Sequence, residues 1–234
     1  LYWRARMLKR VVGGVPVLGP LARHVWKRYV RKTPEFATSG QYWDDRYKLG
    51  GNSGAGSYNR LAEFKADILN KFVKDHAVNS VVEFGSGDGA QLKIADYPNY
   101  IGYDVSHTAV AHGRALFKDD PTKQFRHVGD LTPVQADLTL SLDVIYHLVE
   151  DSIFDSYMKR LFETSSRFVI IYASNIDQPD TGASHVRHRR FTDWVEANAG
   201  QWTLMEVVEN IYPFDAADPI NTSFADFYFY QKRQ

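Results

Sequence analysis

Apolar and polar positions follow two different patterns along the chain. Short apolar runs bounded by Gly, Pro, Asn or Asp are typical of strands, whereas apolar residues that recur every three or four positions indicate amphipathic helices. From Ser80 onward the two patterns alternate, and this order predicts a mostly parallel, doubly wound sheet. The predicted strands are 80–84, 100–105, 125–128, 137–144, 167–172, 203–208 and 223–230.

The helices expected between these strands carry an apolar face at helical spacing. Ser57 is expected to cap a helix that begins at Tyr58, whose core face is Leu61, Phe64, Ile68, Leu69, Phe72 and Val73. Further helices are predicted at 42–47, 106–117, 151–162 and 192–199. No helix separates the last two strands, so they should pair as a hairpin. The predicted fold class is α/β: a doubly wound, mostly parallel seven-stranded sheet with an antiparallel last strand, plus a helical N-terminal arm.

Residues 1–34 differ from the rest in charge. They carry nine Lys or Arg side chains and no acid before Glu35. Gly and Pro interrupt the apolar centre, so two short helices around a turn are expected, and the segment is too short to span a bilayer. Two interpretations stay open: a segment that contacts an anionic membrane through Trp3, Trp26 and Tyr29, or an arm packed on its own domain or on a dimer mate. The predicted organisation is a basic helical arm and glycine-rich lid over 1–57 and a Rossmann-like domain over 58–234.

The bulk composition narrows the class of protein. The chain has 234 residues, 28 basic and 28 acidic side chains and a pI near 7.3, so no global charge favours a nucleic-acid partner. It has no cysteine, which excludes disulfides, thiolate nucleophiles and zinc–cysteine sites, and no other metal-ligand spacing is evident. With no apolar run long enough to span a membrane and no evident signal peptide, the expected location is cytoplasmic.

A glycine-rich turn follows the first strand. The run from Val81 to Gly89 reads Val-Val-Glu-Phe-Gly-Ser-Gly-Asp-Gly, in which Gly85, Gly87 and Gly89 let the backbone adopt positive φ and lie against a ligand. The start of a following helix would add unpaired N–H groups. The glycines and Ala90 also satisfy the dinucleotide fingerprint. Glu83 favours a ligand with a positive ammonium group over a pyrophosphate, which it would repel.

This turn resembles motif I of class I S-adenosylmethionine-dependent methyltransferases, and the resemblance extends from about residue 58 to the end. Asp104 lies about twenty residues beyond Gly85, the spacing at which an acid meets ribose hydroxyls. The resemblance implies S-adenosyl-L-methionine as cofactor, with Asp130 accepting from the adenine amino group and the backbone N–H of Leu131 reaching the ring. A helix cap at Asp104 and a turn aspartate at Asp130 are the structural alternatives.

A second glycine-rich stretch, Gly50 to Ser57, precedes the helix that begins at Tyr58. In many methyltransferases the segment before the first strand folds over the cofactor, so the resemblance implies that this stretch is a lid. Arg60 is a candidate for pairing with the cofactor carboxylate, and a solvated surface position is its alternative.

Candidate acceptor chemistry lies at the end of the fourth strand. His147 is a candidate general base, with Asp143 holding the geometry and Tyr146 forming a wall. A packing or capping histidine is the alternative. A later cluster, His185, Arg187, His188 and Arg189, would suit an acceptor rich in phosphate, carboxylate or hydroxyl groups, or it is a basic surface connection.

The expected function is methyl transfer to a small-molecule or glycan acceptor at a hydroxyl. The Asp-Pro-Pro-Tyr or Asn-Pro-Pro-Tyr signature of amino-group methylation is absent, since the chain has Asp143-Val144-Ile145-Tyr146, and nucleic acid is disfavoured as acceptor. A dinucleotide-dependent oxidoreductase and a non-catalytic member of the methyltransferase fold are the alternatives.

Overall fold

Seven strands form one mixed sheet in the computed structural model, which describes residues 34–130, 132–178 and 183–233. The strands are β1 (Val81–Phe84), β2 (Tyr100–Asp104), β3 (Lys123–His127), β4 (Ala136–Leu142), β5 (Ser165–Ala173), β6 (Trp202–Val208) and β7 (Asp226–Lys232). Their order is β3-β2-β1-β4-β5-β7-β6. β1 to β5 pair in parallel, and β7 runs antiparallel to both β5 and β6. The predicted fold class is confirmed.

Contacts between residues divide the chain into two units, Leu1–Pro34 and Glu35–Gln234. The sheet belongs to the second unit, which also includes the glycine-rich stretch predicted to be a lid. The predictions made for residues 1–33 and for Leu131 fall outside the described residues. Within the described ranges, no helix is long and apolar enough to cross a membrane.

Five α-helices flank the sheet in the described residues: α1 (Ser39–Lys48), α2 (Asn59–Asp75), α3 (His107–Leu116), α4 (Asp151–Glu163) and α5 (Phe191–Asn198). On one face of the sheet, α2 buries Leu69 and Phe72 against β-strand residues such as Leu138 and Phe229. On the other face, α4 and α5 bury Met158 and Val195. The helical spacing read from the sequence therefore identified the core side of α2 correctly.

Two local predictions were wrong. Ser57 does not cap α2: it lies in a 3₁₀ turn, Ala55–Ser57, and the N-cap residue is Tyr58, which makes no side-chain capping bond. The glycine turn after β1 does not open an α-helix either, because only a 3₁₀ turn, Gln91–Ile94, follows it. The chain enters β2 at Tyr100, and Pro98 falls in this short connection, so there is little room for a longer helix.

The carboxyl ends of β1, β2 and β4 meet at one edge of the sheet, as parallel pairing requires. At this edge the chain leaves β4 through Asp143, a non-glycine residue with φ of 59°. Such a conformation is uncommon outside glycine and is retained where surrounding contacts hold it. The candidate site residues predicted from sequence and the unusual backbone conformation of Asp143 therefore lie at the same edge of the sheet.

Candidate active site

A cavity of about 640 Å³ lies at the carboxyl edge of the sheet. Its floor comes from the ends of β1, β2 and β4, and its cover comes from α1 and from the glycine-rich stretch Gly50–Ser57, here called the lid. One part of the wall continues along α4. The lining residues with polar or aromatic side chains at the floor and cover include Trp43, Tyr47, Ser53, Ser57, Lys65, Glu83, Ser86, Asp104, Asp143 and His147.

The backbone conformation and close packing of the turn after β1 require glycine at two positions. Gly85 has φ of 84° and Gly87 has φ of 59°, both in the region that glycine adopts most easily. A Cβ on Gly85 would overlap Cγ2 of Val144, and a Cβ on Gly87 would overlap Oγ of Ser53. Both glycines line the cavity. Gly89 also has positive φ, at 79°, but an added Cβ would meet Phe125 instead.

Glu83 is buried beneath this turn. Its carboxylate accepts a hydrogen bond of 2.6 Å from the hydroxyl of Tyr100. Burial raises the pKa of Glu83 to about 7, while the bond from Tyr100 and the positive charge of Lys65 oppose that rise. Because burial disfavours the charged form of Glu83, a ligand with a positive charge would stabilise its carboxylate.

Asp104 is buried at the end of β2. Its two oxygens accept from the backbone N–H of Gly87 at 2.9 Å and of Ser106 at 2.8 Å. Burial raises the pKa of Asp104, and these backbone bonds oppose the rise. Since a carboxylate offers about four acceptor positions, Asp104 can tie the glycine turn to β2 and still accept from vicinal hydroxyls.

Asp143 is fixed from two sides at the end of β4. Its Oδ2 accepts from Nζ of Lys65 at 2.7 Å, and its Oδ1 accepts from the hydroxyl of Tyr146 at 2.8 Å. The close approach of Gly56 in the lid completes the surroundings, because a Cβ on Gly56 would lie 2.5 Å from Oδ2. These contacts hold the unusual backbone conformation of Asp143 in place.

His147 follows in a 3₁₀ turn, Ile145–His147, and lines the cavity. Its Nδ1 lies 3.1 Å from the carbonyl oxygen of His185, so Nδ1 must carry the proton and Nε2 is left as the acceptor. Trp43 meets the imidazole edge-on at 4.8 Å between ring centroids. Burial lowers the pKa of His147 to about 4, with the His185 hydrogen bond opposing that shift. The ring is therefore neutral at physiological pH.

The lid is joined to the β1 turn through Asp88. The Asp88 carboxylate accepts from the Ser53 hydroxyl at 2.8 Å and from the Tyr58 hydroxyl at 2.9 Å. Ser53 also shares a 2.8 Å hydrogen bond with the hydroxyl of Tyr47, which belongs to α1. Both Ser53 and Ser57 line the cavity. The structure thus brings the predicted lid to the predicted cofactor turn.

Three of the described residues predicted to contact the cofactor, Gly89, Asp130 and Arg60, do not line the cavity. Asp130 is exposed in the 3₁₀ turn Val128–Asp130, and only Val128 of that turn reaches the lining. Arg60 points to the loop between β6 and β7: its Nε donates to the carbonyl of Asn221 at 2.7 Å, and its guanidinium lies over the ring of Tyr212. The adenine contact of Asp130 and the carboxylate contact of Arg60 stay predictions without support from this geometry.

The cluster predicted to bind the acceptor divides into separate roles. Arg187 and Arg189 both pair with Asp151, at 2.9 and 3.0 Å, and both donate to the carbonyl of Val149. His188 is buried and shares a 2.6 Å hydrogen bond with Ser174. His185 stacks on Tyr42 at 4.4 Å between ring centroids, and its carbonyl orients His147. None of the four lines the cavity itself, but His185 reaches the cavity-lining His147 through its carbonyl and by a ring stack at 5.7 Å between centroids.

Lys65 is a buried, charged residue of the cavity lining that sequence reasoning missed. Its side chain is 1% exposed and lines the cavity. A signal was present, because Lys65 lies four positions from both Leu61 and Leu69, on the apolar stripe of α2. A lysine in a core stripe needs a buried partner, but the sequence could not show that this partner is Asp143.

No protein-family model and no curated protein sequence matches the chain. Solved structures do. N-methyltransferase NodS from Bradyrhizobium japonicum WM9, in complex with S-adenosyl-L-homocysteine, is 16% identical with a TM-score of 0.63, covering 85% of this chain and 100% of that one. Magnesium protoporphyrin IX methyltransferase ChlM from Synechocystis PCC 6803, with bound S-adenosylmethionine, is 12% identical with a TM-score of 0.55, covering 89% and 91%.

The methyltransferase domain of bacterial CtHen1-C is 16% identical with a TM-score of 0.56, and the match covers 73% of this chain and 97% of that one. At these identities the likeness concerns the fold. The chain has the Rossmann-like fold of class I S-adenosylmethionine-dependent methyltransferases.

Proposed function

We propose that this chain, which has the class I methyltransferase fold, binds S-adenosylmethionine and transfers its methyl group to a hydroxyl of a small-molecule or glycan acceptor. The observation that carries the proposal is the charge of the cavity floor. Three carboxyl groups, of Glu83, Asp104 and Asp143, converge there, and Lys65 is the one buried ammonium among the described residues. Such a site favours a ligand with cationic groups, and a sulfonium and an ammonium are both cationic.

The residues present fit this cofactor. The main chain of Gly85 and Gly87 lines the cavity, with Val144 and Ser53 packed too closely for a Cβ at either position. Glu83 would meet the ammonium group, and Asp104 would accept from the ribose hydroxyls while keeping its bond to Gly87. NodS and ChlM, which share the fold, were solved with S-adenosylhomocysteine or S-adenosylmethionine bound. When bound, S-adenosylmethionine supplies an electrophilic methyl group on sulfur.

His147 is the residue proposed to accept the proton of the acceptor hydroxyl, at Nε2. The His185 carbonyl holds the proton on Nδ1 and so keeps the Nε2 lone pair available. Asp143 is already engaged by Lys65 and Tyr146, which suits a positioning role better than that of a base. Trp43 and the lid cover the site and would exclude water. The likeness to solved structures does not favour a hydroxyl acceptor, since NodS is an N-methyltransferase. The choice of a hydroxyl therefore rests on His147.

The oxidoreductase alternative loses support from the structure. A dinucleotide pyrophosphate binds well where an α-helix begins directly after the glycine turn, since the helix presents free N–H groups and a positive dipole end. Here the turn is followed by the four-residue 3₁₀ turn Gln91–Ile94. The buried carboxyl of Glu83 beneath it would add repulsion.

Calorimetry with S-adenosylhomocysteine and with NADH tests the proposal. We expect saturable binding of S-adenosylhomocysteine and none of NADH at the same concentrations. The reverse preference would overturn the proposal. A screen with methyl-labelled S-adenosylmethionine over hydroxyl, amine and carboxyl acceptors would follow. Binding without turnover on any acceptor would favour the non-catalytic alternative.

A further inference from the structure

Lys65 has more hydrogen-bonding capacity than the protein around it uses. An ammonium group has three N–H donors. Within the described ranges, Nζ of Lys65 makes one hydrogen bond, to Oδ2 of Asp143 at 2.7 Å, and lies 5.4 Å from the centre of the Tyr172 ring. The side chain is 1% exposed, so bulk water does not reach the remaining donors easily.

No other described carboxylate lies within ion-pair distance of Lys65. Asp143 has a second oxygen, but that oxygen accepts from the hydroxyl of Tyr146 at 2.8 Å. Glu83, the other acid nearby, accepts instead from Tyr100. A buried charged donor without an acceptor is costly. Because Lys65 also lines the cavity, the missing acceptors are expected to come from a ligand.

We propose that Lys65 is the carboxylate-binding residue of the cavity, with Asp143 holding Nζ in place and the remaining N–H groups donating to a ligand carboxylate. This inference rests on the proposed function and deepens it. A carboxylate fits better than a phosphate, because Glu83, Asp104 and Asp143 already make the floor acidic and a doubly charged anion would meet stronger repulsion.

The carboxylate has two sources in the proposed reaction. One is the amino-acid end of the cofactor, for which the sequence had suggested Arg60, a residue the structure places on the β6–β7 loop instead. The other is a carboxylate carried by the acceptor. In both cases Lys65 donates to the same chemical group, and matched ligands distinguish the sources.

The first arm compares S-adenosylhomocysteine with its decarboxylated counterpart, 5′-deoxy-5′-(3-aminopropylthio)adenosine, by calorimetry. If the cofactor supplies the carboxylate, the wild-type protein binds the decarboxylated compound about 10- to 100-fold more weakly, the range expected for hydrogen bonds to a charged group. Lys65→Met then loses a similar factor for S-adenosylhomocysteine and little for the decarboxylated compound. Lys71→Met, on the exposed face of the same helix, keeps the wild-type difference.

The second arm uses 4-hydroxybenzoate and 4-hydroxybenzamide on protein saturated with S-adenosylhomocysteine. If the acceptor supplies the carboxylate, the wild-type protein prefers the benzoate and Lys65→Met shows no preference. The comparisons between paired ligands in the wild-type protein decide the outcome even if Lys65→Met fails to fold.

Equal affinity within both ligand pairs in the wild-type protein would overturn the inference while leaving the proposed function intact. A wild-type protein that binds neither S-adenosylhomocysteine nor its decarboxylated counterpart would overturn the proposed function, and this inference with it.

Discussion

At the scale of single residues, Glu83 links ligand charge to pH. Its pKa is raised to about 7 by burial, so near neutrality a large fraction of the protein holds a proton there. A cationic ammonium beside it lowers that pKa and expels the proton. We expect S-adenosylhomocysteine binding at pH 6.5 to release a fraction of a proton, seen as a binding enthalpy that differs between phosphate and Tris buffers. Glu83→Gln should abolish the difference.

The same shift predicts how the stability of the ligand-free protein depends on pH. The folded-state pKa of Glu83 lies above the unfolded value of 4.5, so the folded state binds the proton more tightly. The contribution of Glu83 to the free energy of unfolding is therefore complete below about pH 4.5 and is lost as pH rises through about 7. Chemical denaturation across this range should show a shallower decline in Glu83→Gln than in the wild type. An unchanged slope would contradict the assignment.

His147 makes the opposite prediction for stability and a separate one for catalysis. Its folded-state pKa of about 4 lies below the unfolded value of 6.5, so its contribution is present above pH 6.5 and is lost as pH falls through about 4. The turnover rate of the wild type should stay flat from about pH 8 to about pH 5, because the imidazole remains neutral there. A positioned base contributes about 10²- to 10⁴-fold, so His147→Gln should lower kcat by that factor and leave cofactor affinity intact.

The control for His147 is His112→Gln, which changes an exposed histidine on α3. It should leave kcat unchanged. Full turnover in His147→Gln would remove the proposed base.

At the scale of elements, the lid is expected to open and close around Asp88. The hydroxyls of Ser53 and Tyr58, which lie on either side of the 3₁₀ turn Ala55–Ser57, both donate to this carboxylate. In Asp88→Asn, the amide nitrogen replaces one acceptor and meets these donors with N–H groups of its own. Loss of about one hydrogen bond should raise the dissociation rate of S-adenosylhomocysteine about 5- to 10-fold and speed protease cleavage between Gly50 and Ser57.

Asp96→Asn is the matched control for this lid prediction, since Asp96 is exposed in the connection from the 3₁₀ turn to β2. It should leave both the dissociation rate and the cleavage rate at their wild-type values. If Asp88→Asn also leaves them unchanged, the lid does not depend on this carboxylate.

The elements themselves were mostly predictable from sequence, since local pattern decides them. The strands β1 and β5 are short apolar runs, and α2 has a complete apolar face. The failures concern partners that are distant in sequence. Ser53 meets Asp88 across 35 positions, and Lys65 meets Asp143 across 78. The charges of Arg187 and Arg189 were visible, but their common partner, Asp151, was set by tertiary packing.

The site shows the same division between local and distant information. Gly85, Gly87, Glu83 and Asp104 were picked out by their position relative to a strand end, and the structure places all four in the cavity lining. The pKa shift of His147 depends on burial under Trp43 and on a carbonyl 38 positions away, neither of which a single sequence encodes locally. The sequence predicted that the last two strands pair as a hairpin, but it did not predict the sheet order β3-β2-β1-β4-β5-β7-β6.

At the scale of the whole molecule, charge is unevenly distributed although the net charge is zero. Nine of the 28 basic side chains lie in residues 1–34, and all 28 acidic side chains lie beyond them. The remaining part of the chain is therefore net negative and would be repelled by an anionic membrane. The first 34 residues, which also carry Trp3 and Trp26, are therefore the expected source of any attraction to such a surface.

We therefore expect the full chain to co-sediment with vesicles that contain phosphatidylserine at low ionic strength and to be released by salt. Each Lys or Arg near such a surface contributes roughly 1 kcal/mol, and salt screens the attraction. The triple change Lys27→Glu, Arg28→Glu and Arg31→Glu should abolish binding. Changing Lys71, Lys74 and Lys159, which lie on α2 and α4, to Glu should not abolish vesicle binding.

If the wild type stays in solution with anionic vesicles at low salt, the basic segment serves packing or dimerisation. In the case of dimerisation, sedimentation velocity of the triple variant would show a changed oligomeric state.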